Sequence, residues 1–191
     1  GSGVVVSFSG TNQYASTPDT ADTSFIEPDA FSIVCVANVT DTAANRVLIS
    51  KWNDTTHASE WMFYVGSTDK LVLIQRDVSA AVQVNRTSDA GITQGSLRCF
   101  GMSSPGTGGA AAMDGVVLYQ DGVAVASTAT NNAGYVAMED QTTATYIGVD
   151  ANLDYDFAGS IGCAAVYAKA LTAAQHKAVV TAANRYYGTA L

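Results

Sequence analysis

The sequence predicts an all-β fold: a two-sheet antiparallel β-sandwich, or jelly roll, with one C-terminal helix. Three observations predict it. About a dozen short β-rich runs are separated by turn residues, an Asp-Gly pair joins two of them, and the only stretch with helical start and stop signals comes last. Many strands without interleaved helices leave two sheets as each other's main means of burying a face.

Taken in order, residues 4–9 are β-rich, and 13–17 form a short run ended by Pro18, whose missing N–H cannot join a ladder. Residues 30–40, centred on Ile33, Val34, Cys35 and Val36, are a β-branched run long enough to lie centrally in a sheet. Runs at 46–52, 61–65, 71–76, 80–87 and 96–103 continue the series. Residues 116–120 and 123–127 flank Asp121-Gly122, a pair suited to the positive φ angles of a type I′ turn. That register sets Leu118 opposite Val125 and Tyr119 opposite Ala124. Runs at 144–149 and 160–168 complete the strands. The helix opens on a capping box from Thr172 to Gln175 and stops at Gly188. Its predicted apolar stripe is Ala174, Ala178, Val179, Ala182 and Tyr186, with Tyr186 and Tyr187 docking it onto the sheet. Residues 103–114, rich in Gly and small side chains, read as an exposed loop.

Composition narrows the function classes. The chain has 191 residues, 48% of them hydrophobic and 14% charged, which suits a single domain over 1–191 with a substantial core. Seventeen acidic residues against nine basic ones give a net charge of −8. That balance argues against a nucleic-acid partner, because phosphate affinity comes from Lys and Arg. No apolar run approaches the ~18 residues of a membrane span. The three cysteines, Cys35, Cys99 and Cys163, allow at most one internal disulfide, and none sits at C-x-x-C spacing. His57 falls in a loop and His176 in the first helical turn, with no nucleophile–base–acid pattern around either.

The order of short motifs carries a family resemblance. Phe8 to Tyr14 resembles the "FDG…DY" opening of laminin-G-like domains of the concanavalin A-like lectin/glucanase superfamily, and Ala30-Phe31-Ser32-Ile33 resembles its "AFTI" strand. Val47 to Lys51 resembles "LLSK", Leu118 to Val123 resembles "LYVDGV", and Tyr146-Ile147-Gly148 resembles "YIG". Phe157 to Ile161 resembles "FNGRI", and Val166 to Thr172 resembles "IYNRALS", the strand leading into the terminal helix. The resemblance implies a concanavalin A-like jelly roll, extracellular or on a virion surface, that binds carbohydrate or protein and often carries calcium. Pentraxins of the same superfamily bridge the strands that correspond to those of Cys35 and Cys99. Here each cysteine stands about one position out of that register, which turns a side chain to the other face, so a bridge and free thiols both remain open.

The candidate chemistry follows from residues and resemblance together. Glycoside hydrolases of the superfamily need two carboxyl groups across a sugar, in some members as "ExDxE" on one strand. Glu27, Glu60 and Glu139 are isolated, and no Gly-x-Ser-x-Gly elbow occurs, so no enzyme activity is expected. Asp150, Asn152, Asp154 and Asp156 place oxygens at every second position of a loop, a donor pattern that suits calcium. The run departs from an EF-hand, with Tyr155 at position six and Ile161 at position twelve. The pentraxin resemblance adds Asn53 and Asp54 to the implied ligand set. Trp52 and Tyr155, beside these acidic residues, are the aromatic rings best placed to stack on a sugar. The expected function is a non-catalytic lectin-like module for a glycan or a cell-surface or virion protein. The alternative is a structural decoration or fibre protein, present as a homo-oligomer or assembly component.

Overall fold

A computed structural model describes residues 3–191 as two antiparallel sheets and a C-terminal helix. One sheet runs in the order β1 (Val6–Ser9), β13 (Ala158–Tyr167), β3 (Phe31–Val39), β8 (Arg98–Ser104), β9 (Val117–Gln120) and β10 (Val123–Val125). The other runs β11 (Ser127–Thr130), β7 (Val82–Gly91), β6 (Lys70–Asp77), β5 (Trp61–Val65), β4 (Arg46–Lys51), β12 (Thr145–Ile147) and β2 (Ala15–Thr17). Helix α1 (Ala173–Tyr187) lies on the outer face of the first, here called the covered sheet. The second is the open sheet. Among the described residues, no helix is long and apolar enough to cross a membrane.

Strand alternation builds the core. Phe31, Ile33, Cys35, Ala37 and Val39 of β3 point between the sheets and meet Trp61, Phe63, Val65, Leu71 and Leu73 of the open sheet. The opposite face of β3 is buried as well, because Val34 and Val36 pack under Leu171, Val180 and Ala183 of the helix segment. A nearly continuous apolar run is what a strand buried on both faces requires. The Asp121-Gly122 turn has φ of 54° and 74°, and the hairpin sets Leu118 against Val125 and Tyr119 against Ala124 as expected. Residues 123–127 are not one strand: the chain leaves the covered sheet after Val125 and enters the open sheet at Ser127, pairing with Ser88.

One open alternative is decided and two expectations, the exposed 103–114 loop and the apolar stripe of the helix, are corrected. Cys35 and Cys99 are free thiols. Across the β3–β8 ladder Cys35 pairs with Phe100 and Val36 with Cys99, so Cys35 points into the sandwich and Cys99 under the helix. The 103–114 segment is docked in large part, with Ala112 and Met113 in the core. Gly106 lies so close to the Pro28 carbonyl that any Cβ would collide with it. Helix α1 keeps its capping box, with Gln175 N–H on Thr172 Oγ1 (3.3 Å) and Thr172 N–H on Gln175 Oε1 (2.8 Å). Its buried face is His176, Val180 and Ala183, whereas Ala174, Ala178, Ala182 and Tyr186 are exposed. Of the two terminal tyrosines only Tyr187 docks, against Gly162 of β13.

His176 sets that rotation. Its Nε2 lies 2.9 Å from Ser103 Oγ, which stands 2.8 Å from Ser32 Oγ and donates to the Leu171 carbonyl (2.9 Å). Ser32 Oγ also accepts from Leu171 N–H (2.8 Å). Every donor is satisfied if Ser32 donates to Ser103 and a neutral His176 donates from Nε2. The imidazole stacks on Tyr119 at 3.9 Å, and Gly101 leaves room for it, since a Cβ there would sit 2.8 Å from Nδ1.

Candidate functional site

With one outer face sealed by α1, the outer face of the open sheet is the broad face without a covering helix, although Met62 and Val72 within it are buried. Trp61 and Phe63 point inward, so alternation sends Met62 and Tyr64 outward; Leu71 and Leu73 likewise send Val72, Ile74 and Arg76 outward. The ladder sets Val72 against Thr87 and Ile74 against Asn85, and these in turn against Thr128 and Thr130. The surface therefore grades from apolar at Tyr64 and Ile74 to hydroxyl and amide groups on β7 and β11. Such a face offers hydrogen bonds at a fixed strand spacing.

Two loops border it. The 149–156 loop folds back over β4: Ser50 Oγ donates to the Val149 carbonyl (2.9 Å), Ala151 N–H to the Trp52 carbonyl (2.9 Å), and Val47 N–H to the Tyr155 carbonyl (3.0 Å). Asp150 organises the loop, its Oδ1 accepting from the N–H groups of Asn152 (3.1 Å) and Asp154 (2.7 Å). Leu153 and Tyr155 are held at φ of 62° and 61°, a left-handed conformation costing about 1 kcal/mol per residue. These bonds retain it, and the Tyr155 ring stays 38% exposed. The 53–59 loop is closed by the Ser59 hydroxyl, which accepts from Asn53 N–H (3.0 Å) and donates to the Asn53 carbonyl (3.0 Å), with Thr56 N–H on Asn53 Oδ1 (2.9 Å).

The candidate residues divide. Asp54, Asp150 and Asp154 come together. Burial pushes the Asp150 carboxyl up to about 6, and the charges of Asp154 and Asp54 push the same way. Tyr155 is raised by burial and by all three carboxylates, and Tyr64 by burial and by Tyr155, which places the two phenols in one neighbourhood. Asp156 is turned away, accepting from Asn12 N–H (2.9 Å), and Asn152 Oδ1 faces Thr55 N–H (3.4 Å). Asp54 Oδ1 faces Arg76 Nη1 at 3.4 Å, and Arg76 Nη2 donates to His57 Nδ1 at 3.2 Å. The six proposed calcium ligands, Asn53, Asp54, Asp150, Asn152, Asp154 and Asp156, thus do not converge as one shell: Asp156 is turned away, and one oxygen each of Asn53, Asp54, Asp150 and Asn152 faces a backbone amide or Arg76. Among the described residues, no three acidic, histidine or cysteine side chains are grouped to hold a metal. Trp52 is corrected as a stacking ring: it is 2% exposed and packs with Val47 and Met62. Its Nε1, like Arg76 Nε, is buried and meets no acceptor.

Sequence reading missed Tyr64, Arg76, Asn85 and Thr87. The period-2 pattern of Trp61, Met62, Phe63, Tyr64 and Val65 could have placed Tyr64 opposite the two core rings. Nothing local could have shown which sheet face stays free of a covering helix.

The three glutamates and Asp77 are engaged in holding the fold. Glu27 accepts from Tyr135 Oη (3.1 Å) and Met138 N–H (2.7 Å), and Asp77 from the N–H groups of Ala80 and Val136. Glu139 accepts from Ser79 N–H (3.2 Å), and Glu60 is fully buried against Lys51.

The profile described as the Concanavalin A-like lectin/glucanases superfamily, of laminin G type, matches residues 9–175. No curated protein matches. Among solved structures, the chain is similar to the CBM40 of a Ruminococcus gnavus IT-sialidase bound to α2,3-sialyllactose, at TM-score 0.61 and 14% identity, over 94% of this chain and 97% of that one. It is also similar to the binding domain of Paraclostridial Mosquitocidal Protein 1 (TM-score 0.68, 11% identity, 94% of this chain) and to the Botulinum neurotoxin serotype G binding domain (TM-score 0.67, 9% identity, 96% of this chain). It spans 43% and 46% of those two chains. The match across most of the chain, together with the two-sheet topology, establishes that this chain belongs to the laminin G-type family of the concanavalin A-like lectin/glucanases superfamily.

Proposed function

We propose that this chain is a non-catalytic, extracellular module that binds a glycan, free or displayed on a cell-surface protein. The glycan lies on the outer face of the open sheet beside Tyr155 and Tyr64. The observation that carries the reading is the asymmetry of the sandwich: a helix seals one outer face, while the other joins two tyrosines to rows of hydroxyl and amide side chains. Aromatic rings pack on the C–H faces of sugars while Asn85, Thr87 and the loop carboxylates meet hydroxyl groups. The Ruminococcus gnavus CBM40 and the toxin binding domains, which share the fold, support a binding role. A non-catalytic role is supported by the commitment of Glu27, Asp77 and Glu139 to backbone amides and of Glu60 to Lys51.

Glycan-array and calorimetric binding test the reading. Tyr155→Ala and Tyr64→Ala are each expected to weaken the bound glycan about tenfold, with the thermal midpoint within a few degrees of the parent. Nothing in the reading requires calcium, because the rings, amides, hydroxyl groups and carboxylates meet the sugar directly. EDTA should leave both binding and melting unchanged; a calcium-dependent rise of several degrees would show that the loops reorganise around the ion. Unaltered affinity in both tyrosine variants would remove this face as the site.

A second reading, a structural component of a surface or virion assembly, has one observation in its favour. The edge strand β1 follows exposed Val4 and Val5, itself exposes Val6, and carries no charge between residues 3 and 9. An unprotected edge of this kind can pair with a second copy. Analytical ultracentrifugation should then show a dimer that Val6→Lys dissociates; a monomer at all concentrations would count against it.

A further inference from the structure

We infer that helix α1 is a hinged lid on the covered sheet, held closed by His176 as a neutral imidazole and opened by acid while the sandwich beneath it stays folded. The inference does not depend on the glycan reading, because α1 lies on the opposite outer face. The helix is attached lightly. Of its fifteen residues only His176, Val180 and Ala183 are buried, and the side chains they meet, Val34, Val36, Cys99 and Leu171, form a cluster separate from the core between the sheets. Among the described residues, the contact of His176 Nε2 with Ser103 Oγ (2.9 Å) is the one hydrogen bond from α1 to either sheet, and no ion pair joins them. The helix follows the last strand, so it can leave without breaking a ladder. Leu171, whose N–H and carbonyl bond Ser32 and Ser103, remains as the hinge. A segment with so few buried apolar contacts opens locally at lower cost than the whole fold.

The single bond is thus made by the single titratable residue that α1 buries. The groups facing its imidazole are uncharged: Gly101 and Ser103 from β8, Ser32 behind Ser103 from β3, and Tyr119 from β9, stacked at 3.9 Å. Tyr119 is raised by burial and stays a neutral phenol. Asp121, in the turn beside Lys177, is paired with Arg98 (3.0 Å), while Lys177 itself and Lys169 ahead of the hinge are exposed. No carboxylate is therefore at hand to offset a charge on the ring, and the N-terminal turn of a helix opposes a cation. Burial lowers His176 from 6.5 to about 4, so the closed lid excludes a proton that the open lid accepts. The closing influence is complete above the ordinary value and fades as pH falls toward the lowered one.

The three thiols report on lid and sandwich separately: Cys163 is exposed, Cys99 lies under α1, and Cys35 lies between the sheets. The whole chain is labelled with a dithiodipyridine, a disulfide that stays reactive toward thiols in acid, and each site is read by mass spectrometry. Cys163 in the same sample corrects for the pH dependence of the chemistry. Between about pH 7.5 and about pH 5 the rate at Cys99 relative to Cys163 is expected to rise about thirtyfold, the ratio of the open-lid populations, while Cys35 stays protected. In His176→Gln, whose amide can still bond Ser103 but does not titrate, the rise should vanish. A relative rate at Cys99 that stays flat with pH overturns the inference, and so does an equal rise in the variant. Cys35 becoming reactive together with Cys99 also overturns it, since the whole sandwich would then be opening. Should the variant not fold, the comparison of Cys99 with Cys35 in the parent still decides.

Discussion

Replacing Lys51 with methionine is expected to cost about 3–5 kcal/mol of stability and about 10 °C in melting temperature. The side chain of Lys51 is wholly buried, and its Nζ is surrounded by oxygen: the Glu60 carboxylate, Asp19 Oδ1 at 2.7 Å, Ser24 Oγ at 2.5 Å and the Gln141 carbonyl at 2.7 Å. Glu60 is equally buried, and its Oε2 has no protein partner. Removing the ammonium therefore strands a buried carboxylate, and that desolvation penalty dominates the loss. It also frees two connecting segments that the ammonium ties to the open sheet. One of them carries Phe25, whose ring stacks on Phe31 at 4.5 Å. Burial already holds the Glu60 carboxyl above its ordinary range, against the lowering influence of Lys51. In the variant it should rise further, so the defect shrinks as pH falls and protons fill the carboxyl. Urea denaturation of Lys51→Met beside Lys51→Met/Glu60→Gln checks the cause. The double variant should regain most of the loss, and equal stability of the two would show that the stranded charge is not responsible.

Acid should unseat the terminal helix through His176. Burial lowers the His176 imidazole from 6.5 to about 4, so the folded chain holds it neutral while the unfolded chain protonates it near its ordinary value. The contribution is fully present above pH 6.5 and is lost progressively as pH falls to about 4, a total of about 3 kcal/mol. The added proton would go to Nδ1, which lies over Gly101 with no acceptor among the described residues. Asp150 works in the opposite sense. Its carboxyl, raised to about 6, takes up a proton more readily in the folded state and adds stability over an overlapping range. The melting curve of the parent alone can therefore look flat. His176→Gln separates the two, since an amide can still donate to Ser103 but does not titrate. The variant should be about 1–2 kcal/mol less stable at pH 7 and should equal or overtake the parent near pH 4. Parallel pH profiles for the two proteins would exclude His176 as the titrating group.

Much of the sandwich is legible in the linear pattern because strand burial is a local, period-2 property. The β3 run is apolar on both faces, and Asp121-Gly122 imposes the hairpin register, so both could be read without knowing any neighbour. Helix α1 shows where such reading stops. Its start is local and was legible in Thr172 and Gln175. Its rotation was not, because alanines and valines occupy several faces and hydropathy ranks a histidine as polar. A buried bond from His176 to Ser103, across 73 residues of chain, chose the face. The thiols show the same boundary: free Cys35 and Cys99 follow from a ladder register that neither strand specifies alone.

The candidate site divides along the same line. Sequence by itself placed Asp54, Asp150, Asp154 and Tyr155 in turn-rich loops, since alternating acidic residues cannot be buried as a strand without partners. It also determined the all-β class, the helix start and the excess of negative charge. Tertiary structure alone decided that Trp52 is buried, that Asp156 faces Asn12 instead of its neighbours, and that Tyr64, Arg76, Asn85 and Thr87 share one open surface. The physical reason is range. Propensity, alternation and capping act over a few residues, whereas a binding face is made by strands and loops whose adjacency is set by which surfaces the whole chain manages to bury.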